Sequence, residues 1–164
     1  MRTVAKRRVT ASPLTPPTET PAQVETAGVR YIESSALVAA LVERDAAALK
    51  AVRAKGRRVT SALTIAESAR AILRARVNGR LTADQERSLV RALVRFEHRS
   101  YVVAVTDAVL ARVRRPFPAE PIRTLDAVHL ATAELLGEPP QLVTVVTRDA
   151  RVRDNARALG YTVA

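Results

Sequence analysis

The sequence predicts an α/β protein, a three-layer α/β/α sandwich with a mainly parallel sheet. Short β-rich runs alternate with longer helical ones from residue 29 onward, and the helices between strands are long enough for right-handed crossovers. Hydrophobic residues make up 48% of the 164-residue chain, enough for one domain of this size to bury a core unaided.

Residues 1–28 are expected to form a disordered N-terminal extension. They hold four of the nine prolines, Pro13, Pro16, Pro17 and Pro21, and little hydrophobic periodicity. The folded body, 29–164, opens with a strand at Val29–Ile32. A helix over Ser34–Glu43 follows, with Leu37, Val38, Leu41 and Val42 at helical spacing, then a shorter one over Ala46–Ala54 stopped by Gly56. Arg58–Thr60 reads as a second strand. A long helix is expected from Thr64 to Val77, with Ile65, Ile72, Leu73 and Val77 inward and Gly79 as its stop. Thr82 and Gln85 form a capping-box start for a helix running to His98. Tyr101–Val105, apolar and β-branched, reads as a buried strand, and Thr106–Arg114 as a helix. After a loop marked by Pro116, Pro118 and Pro121, Thr124 is expected to cap a helix to Leu136. A strand at Leu142–Val146, a helix at Ala150–Leu159 stopped by Gly160 and a last strand at Tyr161–Val163 complete the chain.

Composition narrows the function. The formal net charge is +11, and residues 1–28 contribute only four basic residues against two acids, so most of the excess lies in the body. A polyanionic partner is expected, with nucleic acid foremost. Aromatic residues are 3% and Trp is absent, which argues against base-stacking platforms. With no Cys and two His, a metal would be held mainly by carboxylates, which suits hard cations such as Mg²⁺ or Mn²⁺. No apolar run is long enough for a membrane span and no secretory h-region is visible, so a cytoplasmic protein with no membrane partner is expected. The five glycines compose neither a P-loop nor a dinucleotide fingerprint. A phospho-receiver would need a lysine near the end of the sheet, and none follows Lys55.

In a parallel sheet, ligands bind beyond the C-terminal strand ends, where the strand order switches. Four acids fall there. Glu33 follows the first strand and Asp149 follows the strand ending at Val146. Glu67 lies early in the long helix, and Asp126 in the first turn of the helix opened by Thr124. Singly each has an ordinary explanation: an ion pair of Glu67 with Arg70, helix-terminal placement of Asp126 and Asp149, solvation of Glu33. Together, with Glu67 and Asp126 embedded in apolar runs, they suggest a cation site, because clustered buried carboxylates need a countercharge.

The motifs around these acids resemble those of one family. Tyr31-Ile32-Glu33-Ser34-Ser35-Ala36-Leu37 is similar to the opening motif of PIN domains, usually Asp-Thr/Ser-Ser-Ala-Leu. Leu63–Glu67 resembles the second motif, Arg123–Ala131 the third, and Val145–Asp149 with Asn155–Gly160 the closing one. The resemblance is to ribonucleases of the VapC toxin type. It implies a metal-dependent endoribonuclease with Glu33, Glu67, Asp126 and Asp149 binding one or two Mg²⁺ or Mn²⁺ ions, and Ser35 and Thr147 supporting them. It also implies an RNA substrate, a cognate VapB-like antitoxin and a homodimer. Glu33 departs from the family's Asp by one methylene, and the alternative reading is a catalytically weakened PIN-like RNA- or protein-binding module. Arg70, Arg74 and Arg123 are the candidates for phosphate contacts, and His129 is expected to pack or to support rather than to ligate.

Overall fold

The computed structural model describes residues 28–164, so the extension expected over 1–28 falls outside the described residues except for Gly28. Five parallel strands, β1 (Val29–Ile32), β2 (Arg57–Ser61), β3 (Tyr101–Val103), β4 (Val143–Val146) and β5 (Thr162–Val163), run in the order β3-β2-β1-β4-β5. Helices α1 (Ser34–Leu41) and α2 (Ala46–Arg53) link β1 to β2. Next, α3 (Ala62–Val77) and α4 (Ala83–His98) link β2 to β3. Then α5 (Asp107–Val113) and α6 (Thr124–Glu134) precede β4, and α7 (Ala150–Ala158) joins β4 to β5.

Strand periodicity divides the core into two layers. Tyr31, Val59, Val143 and Val145 pack with residues of α5, α6 and α7, including Val109, Leu130 and Val152. Ile32 and Val146, one position out of phase, pack with Leu37, Ile72, Leu93 and Phe96 of α1, α3 and α4. The sheet is therefore covered on both faces, as the sandwich requires.

Three local expectations need correction. The long helix starts at Ala62, capped by the Ser61 side chain, and its buried positions are Thr64, Ser68, Ile72 and Ala75. Leu73 and Val77 are 40% and 75% exposed, because small and polar residues occupy the inward stripe. Tyr101–Val105 is not a buried strand: only Tyr101–Val103 is extended, it forms the sheet edge, and Tyr101 is 64% exposed. Thr124 is the first residue of α6 rather than its cap; Arg123 holds that place without a side-chain hydrogen bond. The Thr82–Gln85 capping box is present, with reciprocal hydrogen bonds of 2.8 and 3.2 Å.

Gly56 makes the turn into β2 with φ +135°, and a Cβ there would lie 2.7 Å from the Gly28 carbonyl oxygen. Gly56→Ala should therefore cost about 1–3 kcal/mol and lower the melting temperature by roughly 2–10 °C. An unchanged thermal melt would contradict this.

Candidate active site

The strand order reverses at β1, whose neighbours are β2 and β4. The chain leaves β1 into α1 and β4 into α7, so two helix N-termini meet at the same rim, the place where such sheets bind ligands. Glu33 is the N-cap of α1 and Asp149 the N-cap of α7. Glu67 lies on α3 and Asp126 in the first turn of α6.

Glu33 is buried, 3% exposed, and densely bonded. Its Oε1 accepts from the Ser34 hydroxyl at 2.7 Å and from the Ser35 backbone N–H at 3.0 Å. Its Oε2 accepts from the Thr147 hydroxyl at 2.7 Å and from the Ser35 hydroxyl. Ser35 Oγ in turn accepts from the backbone N–H groups of Arg148 and Asp149, at 2.7 and 3.0 Å. Thr147 Oγ1 also accepts from Asp149 N–H, at 3.0 Å. Ser35 and Thr147, singled out in the sequence, are thus both bonded by their hydroxyls to Glu33.

His129 carries a second network. Buried on α6, it lies 3.2 Å by Nδ1 from the Tyr31 hydroxyl and 2.8 Å by Nε2 from Glu67 Oε2. Burial, joined by the charge of Glu33, pushes the Tyr31 phenol far above its usual range, so it stays protonated. The Glu67 carboxylate can only accept, so His129 Nε2–H is the donor to it. Burial would raise the Glu67 carboxyl, but hydrogen bonding from His129, aided by Ser34 and by the charges of His129 and Arg74, brings it below its ordinary value.

Asp126 is the opposite case. Burial, reinforced by the charges of Asp149 and Glu33, raises its carboxyl, with Arg123 and His129 opposing. Its Oδ2 is buried without a hydrogen-bond partner among the described residues. The four acids are therefore neighbours but not equivalent. Ligand atoms of Glu33, Glu67 and His129 lie within 4.8 Å of one another, whereas Asp126 and Asp149 lie outside that trio. Asp149 Oδ1 accepts from the N–H groups of Arg151 and Val152, at 2.7 and 3.2 Å.

Beside these acids opens a cleft of about 420 Å³, lined by Ser34, Ser35, Asp45, Glu67, Arg74 and Arg148 among others. Of the three arginines expected to contact phosphate, Arg74 lines the cleft and Arg123 is felt by Asp126. Arg70 is exposed, takes no part in an ion pair among the described residues and does not line the cleft. Its suggested pairing with Glu67 is absent, Glu67 being engaged by His129 instead. Sequence reasoning missed Arg148, which reaches Asp45 at 3.4 Å across the cleft. Its place directly before Asp149 was the available signal.

A small α/β domain with clustered acids at its switch point is the pattern the opening motifs resembled, and the comparisons with known proteins agree. Residues 30–158 match the PIN domain model, and the chain belongs to that family. It is 37% identical over 137 residues to Ribonuclease VapC35 of Mycobacterium tuberculosis, covering 81% of this chain and 93% of that protein. Ribonuclease VapC46 of the same organism is 39% identical over 139 residues, with 81% and 94% covered. Among solved structures, VapBC-1 from nontypeable Haemophilus influenzae shares the fold, with a TM-score of 0.52 at 15% identity, covering 83% of this chain and 96% of that one.

Proposed function

We propose that this protein is a divalent-metal-dependent endoribonuclease that hydrolyses RNA phosphodiester bonds, the toxin of a type II toxin–antitoxin pair. The observation that carries the reading is the set of four carboxylates delivered by four separate elements to one rim, with Asp126 Oδ2 buried and without a hydrogen-bond partner among the described residues. A half-buried carboxylate with one oxygen shielded from solvent, repelled by two neighbouring acids, is poorly placed unless a cation joins it, so the donor set fits a hard divalent ion, Mg²⁺ or Mn²⁺. Such an ion, when bound, would make a water acidic enough to attack and would offset charge building on the phosphate.

The chain's own residues supply the rest. Glu67, its carboxylate fixed by His129, and Asp126 and Asp149 are the acids that would hold the ion, with Glu33 at the centre of the same rim. Arg74 and Arg148, both lining the cleft, are placed to meet backbone phosphates, and the +11 net charge favours encounter with RNA. No nucleophilic side chain is required. The relatives' VapC names, with the VapBC naming of the solved neighbour, support a cognate VapB-like antitoxin as partner. A homodimer is the family expectation. No helix among the described residues is long and apolar enough to cross a membrane.

Incubating partner-free protein with a mixed structured RNA in Mg²⁺ or Mn²⁺, and in EDTA, tests the reading. Cleavage with either metal and none in EDTA is expected. Well-folded protein that cuts under neither metal would contradict it and favour a PIN-like binding module.

A further inference from the structure

Glu33 stands where the family's motif has Asp, and its carboxylate bends back over the start of its own helix. A carboxylate offers about four lone-pair sites, and here each is met by a donor of this chain: Ser34 Oγ and Ser35 N on Oε1, Thr147 Oγ1 and Ser35 Oγ on Oε2. The proton directions follow from the partners. Ser35 Oγ already accepts two backbone N–H groups, from Arg148 and Asp149, so its single proton goes to Glu33. Thr147 Oγ1 accepts from Asp149 N–H, so its proton goes to Glu33 as well. The backbone of the turn that carries Asp149 is thereby tied through two hydroxyls to one buried carboxylate just past the end of the neighbouring strand.

We propose that Glu33 is a positioning residue rather than a metal ligand: it is the buried acceptor that locks the β4–α7 turn, and with it Asp149, against the end of β1. The ion is left to the other acids of the rim, first among them Asp126, whose Oδ2 has no hydrogen-bond partner among the described residues. The proposal rests on the metal-dependent reading above. The compact trio of Glu33, Glu67 and His129 does not compete for the ion, because His129 Nε2 is already committed to Glu67 at 2.8 Å and lies 3.7 Å from Glu33 Oε1. Among the described residues, the carboxylate oxygen of the rim left without a hydrogen-bond partner belongs to Asp126.

A ligand role and a locking role differ in sign without metal. Removing one of several mutually repelling ligand charges stabilises the metal-free protein, whereas removing the shared acceptor of four donors destabilises it. Thermal melts of the full chain in EDTA and in Mn²⁺ separate the two. In EDTA, Glu33→Gln should melt roughly 5–10 °C below the unaltered protein. Mn²⁺ should still raise its melting temperature, since a ligand that binds the folded state stabilises it. Thr147→Val should lower the melt in the unaltered background and add little in the Glu33→Gln background. A Glu33→Gln protein that melts at or above the unaltered one in EDTA and no longer responds to Mn²⁺ would overturn the proposal. Should Glu33→Gln not fold, Thr147→Val alone decides: a lowered melt with the Mn²⁺ response kept supports the lock, and an unchanged melt overturns it. If the unaltered protein shows no Mn²⁺ response, the metal reading itself fails, a different outcome from failure of the lock.

Discussion

Asp126→Asn should abolish RNA cleavage, by at least roughly 100-fold, the scale expected when one electrostatic contributor to a charged transition state is removed. The fold should survive, because Asn is isosteric and Asp126 Oδ2 has no hydrogen-bond partner to lose among the described residues. Stability should move the other way from activity. Burial, then Asp149 and Glu33, raise the folded-state carboxyl above its unfolded value, so the native state holds its proton more tightly. Stability contributed by this group is accordingly present in acid and lost as pH rises through the raised value. Metal-free Asp126→Asn should therefore melt at or above the unaltered protein near neutral pH, with the difference vanishing in acid. Nuclease assays beside melts at two pH values check both halves. Full activity, or a marked loss of stability at neutral pH, would contradict the placement of Asp126.

His129→Ala should produce the largest loss of stability among the site substitutions. The imidazole is 1% exposed and bridges Tyr31 and Glu67, so truncation opens a cavity and leaves a buried phenol without that partner. The expected cost is about 2–4 kcal/mol, a fall of roughly 5–15 °C in melting temperature. The Glu67 carboxyl loses the hydrogen bond that offsets its burial, so its titration should move upward. Urea unfolding checks the first effect and carboxylate NMR titration the second. A variant as stable as the parent, with Glu67 titrating unchanged, would show that the bridge does not operate.

The elements were legible in the sequence because most of their signals are local. Gly56 and the Thr82–Gln85 box act over a few residues: the box appears in the structure as expected, and Gly56 stands just past the end of α2, at the turn into β2. Leu73 and Val77 misled because apolar character alone does not fix which side of a helix faces the core; Thr64 and Ser68 hold that stripe. Tyr101–Val103 misled because β-branched residues look alike on edge and central strands, and position in the sheet is a tertiary fact. The same limit governs the site. That Glu33, Glu67, Asp126 and Asp149 share a rim follows from strand order and motif spacing. That Glu33 is saturated depends on Thr147, 114 residues away, and that Glu67 is held by His129 depends on a partner 62 residues away. Neither separation carries a periodic or local signature.

The measurement that bears hardest on the carboxylate rim as a metal centre is a crystal structure of the protein grown with saturating Mn²⁺, with anomalous data collected at the manganese edge. An anomalous peak in contact with the Asp126 carboxylate, beside the ends of β1 and β4, is the expected result. No peak at that rim, or manganese bound only to surface acids such as Asp84 and Glu86, would contradict the assignment.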